Sequence, residues 1–407
     1  MPKKTKQLKS DSTKIENNAV GTLNLGVFNV RSYGAKGDGQ TDDSPAIQAA
    51  LNAAAPFGGV VWLAPSSNAY HCNGPLTVPS NVTFKGGYGG MRRGLRLYEE
   101  APCGSLLHVY TYGDFITMSH NSILDGLEIY YPLQTTEGVP NPHGWTIKIP
   151  ANQHGVTIRN ICSPNPYQFI YAQADGFLIE GVQGYPLNVG IQLGRVADVA
   201  RITNIQFNGN CWSDATQSLR DWVQTYGVCL KVAGAEELMI TDLFAYGYLR
   251  GIWFEAYADA NFPGNYGSLT NFGFDAVQEG ILVQTGGISG RQGFSISNGR
   301  IVPFQGQVGA RTGIKCSDTV PSIGPGISVS NVGFFGPHER SIWIEPDSGA
   351  RITILGGQAT EYQQEMVLCQ SRNAAVRLVG MRSFNGVGPR INNPGGGDVL
   401  DLVAINS

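Results

Sequence analysis

The sequence is expected to fold as one all-β solenoid, a parallel β-helix closed at one end by a short helix. A glycine-rich, charge-poor composition, a recurring turn mark and short alternating strands between the marks carry that expectation. The chain has 407 residues, more than the roughly 250–300 at which a single ordinary core stops growing. It therefore forms two domains, or one elongated domain built by repetition. Its 54 glycines are about twice the ordinary ~7%, so turns are frequent. Charged residues make up 14% against a typical ~25%, too few to solvate many helix faces. A net charge of −3 lacks the basic footprint that phosphate neutralisation needs, so no nucleic-acid partner is expected. No run approaches the ~18 apolar residues of a membrane span, so no membrane association is expected.

Residues 1–25 are expected to be a flexible basic tail, because five of the ten lysines (Lys3, Lys4, Lys6, Lys9 and Lys14) lie there without apolar periodicity. Attachment to a larger particle is the alternative reading. No apolar stretch follows these lysines, as a secretory signal would require. The β-helix domain is expected to run from residue 26 to 407. Its capping helix is placed at 44–55, with Asp43 or Ser44 as N-cap, Pro45 in the first turn and Ile47, Ala50, Leu51 and Ala54 on one apolar stripe. Such a helix covers the unpaired edge of a terminal rung. The strand Val60-Val61-Trp62-Leu63 follows.

The turn mark is two strand-forming residues, then Asn, Asp or Gly. It falls at Gly86, Gly126, Asn160, Gly181, Asn204, Asp242, Asn271, Asn298, Asn331, Gly356 and Gly380, at spacings of 21 to 40 residues. A second pattern lies between the marks: a small residue, then alternating apolar positions. It reads GIQL at 190–193, GVCL at 227–230, GIWF at 251–254, GILV at 280–283, GIKC at 313–316 and SIWI at 341–344. A unit with two such strands cannot bury its apolar face alone, whereas stacked units bury one column. A propeller fits less well, because its blades need roughly 40–45 residues. Roughly ten rungs are expected from about residue 57 onward. Strand alternation points Ile252 and Phe254 inward and Trp253 and Glu255 outward. One outward row then holds Gln192, Cys229, Trp253, Leu282, Lys315 and Trp343, and a second holds Lys231, Glu255, Gln284 and Glu345. Trp253 and Trp343 stand three rungs, or roughly 14 Å, apart at the ~4.8 Å interstrand spacing.

The segments FNVRSYGAKGDGQTDDSPAIQAALNAA, GGVVWLAP and LTVPSNVTFKGGYGG, within residues 28–90, resemble the opening of the pectate-lyase superfamily. That group of right-handed parallel β-helix proteins includes polygalacturonase-like glycosidases and phage tailspikes. The resemblance implies a right-handed coil and a carbohydrate partner, but leaves hydrolase, lyase and non-catalytic binder open. Sub-family signatures are missing. There is no Asn-Thr-Asp triplet, Gly-His-Gly or Arg-Ile-Lys of the polygalacturonase type, and no Trp-x-Asp-His of the calcium-dependent lyases. The single adjacent Asp pair, Asp42-Asp43, reads as turn and cap chemistry with Asp38. No metal and no cofactor are expected, since seven cysteines without a CxxC and scattered histidines give no ligand spacing.

Glycoside hydrolysis needs two carboxylates, about 5 Å apart for retention or about 6.5–9.5 Å for inversion. Glu255 and Asp275 are the candidate acid and base, with Glu279 in reserve and Glu345 next. Each has a bland alternative: a ladder ion pair with Lys231 for Glu255, solvated turns for Asp275 and Glu279. Trp253 is expected to stack on sugar, with Trp343, Tyr257, Asp259 and Trp222 as further contacts. Lys231 and Arg250 are expected to meet polar or acidic groups. The insertion at 208–227 is expected to hold a helix capped by Ser213 that walls the groove or simply packs. The expected function is a polysaccharide-acting enzyme, a glycoside hydrolase first, with a lyase or a glycan-binding tailspike or adhesin as alternatives. Its partner would be a polysaccharide or oligosaccharide. Its place would be extracellular or on a virion, with a cytoplasmic one left open. A homo-oligomer, trimeric if tailspike-like, would suit that role.

Overall fold

Strand alternation and turn marks together produce a stack of parallel strands. The computed structural model describes residues 26–87, 104–255, 264–303, 311–317 and 324–402. The expected tail, Tyr257 and Asp259 lie outside the described residues. Among the described residues the strands form two sheets, a long one of eighteen strands and a short one of twelve. Every strand pairing is parallel, and successive strands of the short sheet follow in chain order. This is a parallel β-helix, slightly longer than the ten rungs expected.

Register keeps like residues together down the column. Ile147, Ile170, Ile191, Leu230, Ile252, Ile281, Ile314, Ile342 and Val367 occupy one inward position on successive strands. All nine are fully buried. Each such side chain contributes about 1.5–3 kcal/mol by leaving water. Branched side chains at equal height also fix the register, since a one-residue slip would turn the row to solvent.

The long sheet bends at the turn marks. Every marked position except Gly86 has a left-handed backbone, among them Asn204 at φ 54°, Asp242 at 55°, Asn271 at 54° and Gly181 at 63°. Asn, Asp and Gly tolerate that region because short polar side chains, or none, relieve the Cβ clash. The amides also ladder, with Asn331 Nδ2 donating to Asn298 Oδ1 at 3.0 Å.

The cap helix α1 spans Ser44–Ala54 and buries Ile47, Ala50, Leu51 and Ala54, the expected stripe. Asp43 occupies the N-cap position without capping through its side chain. Its carboxylate instead accepts the amides of Lys36 at 2.6 Å and Gly37 at 3.0 Å, closing the glycine turn. Asp42 accepts from Ser44 and Asn73. The amides of Thr41 and Gln40 hold the Asp38 carboxyl down to about 2. All three acids serve the turn. Cys72, Cys162, Cys211, Cys229, Cys316 and Cys369 are buried free thiols.

Candidate active site

The outer face of the short sheet carries one side-chain arrangement twice. It is built on β1 (Val228–Val232), β2 (Arg250–Phe254), β3 (Glu279–Gln284), β4 (Thr312–Ser317), β5 (Arg340–Ile344) and β6 (Glu365–Cys369). Register sets Lys231, Trp253, Leu282, Lys315, Trp343 and Leu368 in one outward row. In the first copy, Lys231 Nζ lies 2.8 Å from Glu255, Arg250 Nε donates to Glu279 at 2.7 Å, and Trp253 Nε1 donates to Gln284 Oε1 at 2.8 Å. In the second, Lys315 Nζ lies 3.0 Å from Glu345, Arg340 Nε donates to Glu365 at 2.8 Å, and Trp343 Nε1 donates to Gln370 Oε1 at 2.9 Å. Each indole carries a lysine 4.3 Å and an arginine 4.9 Å from its ring centroid. Neighbouring rungs are about 4.8 Å apart, close enough for opposite charges and for cation–ring contact.

Glu279 links the two copies. Its second oxygen lies 3.8 Å from Lys315 Nζ, the ammonium that holds Glu345 at 3.0 Å. Those two carboxylate oxygens are therefore no more than about 7 Å apart, an upper bound that admits the roughly 5–5.5 Å of retaining glycoside chemistry and only the lower end of the roughly 6.5–9.5 Å of inversion. Glu279 is nearly buried at 8% exposure, so it is not a solvated turn residue. A charged group this far from water needs its two cationic partners.

Several expected residues are placed differently. Asp275 belongs to the long sheet, between Tyr246 and Val302 in register. Glu255 follows Phe254, which pairs with Val283 at the far end of β3, whereas Asp275 precedes the first residue of β3. The stretch from Glu279 to Val283 alone covers roughly 13 Å at about 3.3 Å per residue. Glu255 and Asp275 thus stand on different sheets, at opposite ends of the strand. Cys229 is fully buried rather than outward. Gly227 closes the preceding helix, its amide bonded to Val223 O at 2.7 Å. It is therefore not the counterpart of Gly251. Cys229 holds that position, and Lys231 moves into the tryptophan row. Trp253 does not offer a free ring for stacking, because both cations already lie against it.

The insertion forms helix α2 (Gln217–Tyr226) directly before β1. Thr216, not Ser213, takes the N-cap position, and its hydroxyl donates to Thr136 O at 2.9 Å. Leu219 and Val223 face the core, and Trp222 packs beside them with Tyr167 and Tyr226 against its ring. Trp212 and Tyr248 nearby are fully buried. Burial pushes the Tyr248 phenol well above its ordinary value. Among the described residues, no three His, Cys, Asp or Glu side chains converge as a metal cage. Sequence reasoning overlooked Glu365, Gln370 and Arg340, and placed Gln284 outward without giving it a partner. The signal was present: RGIWFE at 250–255 returns as RSIWIE at 340–345.

Residues 27–92 match the family described as rhamnogalacturonase A/epimerase, pectate lyase-like. Depolymerase 1 of Klebsiella phage K5-2, described as capsule-specific, is 42% identical over 97 residues, covering 24% of this chain and 11% of its own length. Alginate lyase 7 of Azotobacter vinelandii is 44% identical over 66 residues, covering 14% of this chain and 8% of its own length. The chain thus spans only a small part of these relatives. Among solved structures, the A-module of the Azotobacter vinelandii mannuronan C-5 epimerase AlgE6 superposes with a TM-score of 0.61 at 14% identity, covering 93% of this chain and 99% of that one. The fold is that of the right-handed parallel β-helix proteins.

Proposed function

We propose that this chain is a carbohydrate-active enzyme that cleaves a polysaccharide, most directly by glycoside hydrolysis. The observation that carries this reading is the pair Glu279 and Glu345, held on the one ammonium of Lys315. In such a pair one carboxylic acid protonates the departing glycosidic oxygen, and the other carboxylate activates water or attacks the anomeric carbon. Lys315 and Arg250 fix both groups, and pre-set geometry lowers the barrier. Glu255 and Lys231 lie on the same face and would meet the chain beyond the cleavage point. A second reading, elimination from a uronate, draws on Lys231, Lys315, Arg250 and Arg340 along this face. It is also supported by the alginate lyase resemblance at the amino-terminal end. The likeness to a phage depolymerase supports a place on a virion or outside a cell, and a homo-oligomer suits that place.

Product analysis over a panel of polysaccharides tests the assignment. Hydrolysis gives new reducing ends without an ultraviolet-absorbing unsaturated product. Elimination gives both, and a glycan-binding protein without activity gives neither. Glu345→Gln should lower turnover on the active substrate by about 10²–10⁴-fold, the usual share of a positioned acid or base. Near-native turnover in that variant would remove the pair from the mechanism.

A further inference from the structure

We infer that the long sheet carries a second glycan site, a groove for an anionic polysaccharide separate from the cleavage site. The left-handed turn at each marked residue folds the sheet's outer face into a concave trough of about 1010 Å³. One row of its floor reads Phe244, Gly273, Arg300, Gly333, Gln358 and Arg382 on successive strands. At ~4.8 Å per strand the row is roughly 24 Å long, enough for several sugar rings.

Three features separate this trough from the charged face of the short sheet. Its arginines are free: neither the Arg300 nor the Arg382 guanidinium has a partner among the described residues, and both are exposed. Its aromatic rings lie over glycines. A Cβ at Gly273 would meet the Phe244 ring at 3.1 Å, and one at Gly333 would meet the Phe335 ring at 2.2 Å. Those rings stay partly open to solvent. The rim is a line of turn residues, among them the exposed amides of Asn271, Asn298 and Asn331. Among the described residues, Asp242 is the only acid in the lining. Unpaired guanidinium groups bind carboxylates with paired, geometry-specific hydrogen bonds. The trough is therefore complementary to an extended chain bearing carboxylates, with the rings and amides meeting its neutral faces.

Affinity electrophoresis of the full chain in gels containing polygalacturonate or neutral dextran tests this. Polygalacturonate should retard the protein and dextran should not. Arg300→Gln with Arg382→Gln should weaken the retardation at least tenfold, the loss expected from one charge-assisted contact or more. Phe335→Ala should weaken it further. Glu279→Gln, on the other sheet, should leave it intact. Equal retardation by dextran, an unchanged double-arginine variant, or loss of binding with Glu279→Gln would each overturn the assignment. So would an oligomer that dissociates with the double-arginine variant, since the trough would then belong to a second copy of the chain.

Discussion

The first and second copies of the tryptophan arrangement agree closely in every distance, yet their surroundings differ. Lysine, arginine, tryptophan, glutamate and glutamine recur at matching register positions. Strand period and charge alternation are enough to repeat them, because the contacts reach only one rung. What does not repeat is the scaffolding. Helix α2 precedes the first copy. The buried residue two places before the arginine is Tyr248 in the first copy and His338 in the second. The floor beneath the tryptophan ends in Phe254 in one and Ile344 in the other. Equal ion pairs on unequal supports argue that the repeated charges are a structural ladder. Under the proposed hydrolysis, reactivity would arise where an extra contact breaks the symmetry, and the Glu279 contact with Lys315 is such a place. Its counterpart Glu365 contacts Arg340 and Asn392, and among the described residues no second lysine holds another acid beside it.

The largest test of that asymmetry compares Glu279→Gln with Glu365→Gln. Each removes an arginine ion pair of nearly equal length, so that part of the structural loss should match. Turnover should fall about 10²–10⁴-fold in the first and stay within a few-fold of the parent in the second. Equal losses would make both acids ladder residues and move the chemistry elsewhere. An intermediate effect is expected on stability. Phe254 is fully buried, and its ring centroid lies 4.7 Å from that of Phe294. Phe254→Ala should cost about 3–5 kcal/mol in denaturant unfolding, with Ile344→Ala at the lower end of about 2–5 kcal/mol. A larger cost at Ile344 would show that the second copy, not the first, is the firmer support.

The sequence exposed the solenoid well because its signals are local. A left-handed turn favours Asn, Asp or Gly, and that preference repeats at Asn160, Asn204, Asn271, Asn298 and Asn331. Inward rows such as Ile252, Ile281 and Ile314 follow from alternation alone. The site was only half legible. Alternation sets Glu255 outward beside Trp253, and Glu279 stands immediately before GILV, but side-chain reach across rungs is not written in spacing. Lys315 touches Glu279 and Glu345, which are 66 positions apart in the chain. Asp275 looked close because it lies four positions before Glu279, yet the chain turns a corner between the two sheets there. At Gly227 a helix ending imitated a strand start, which shifted the register by two.

The smallest predicted effect concerns pH and again sets the second copy against the first. His338 is buried before β5, its Nδ1 donating to Gly336 O and its Nε2 accepting from the Ser341 hydroxyl, both at 2.8 Å. Burial, helped by the nearby Arg311 charge, holds its pKa below the ordinary 6.5 despite the opposing Gly336 bond. The unfolded chain therefore binds a proton that the folded chain refuses, so stability rises with pH in this window. As pH falls below about 6.5, that contribution is lost, and protonation also removes the acceptor used by Ser341. Tyr248, at the equivalent place before β2, is neutral throughout this range. Hydrogen exchange, corrected for intrinsic rates, should therefore show the amides of β5 losing protection relative to β2 as the solution is acidified. His338→Gln should flatten that difference. If β2 and β5 lose protection in parallel in the parent protein, His338 is not what distinguishes the two copies in acid.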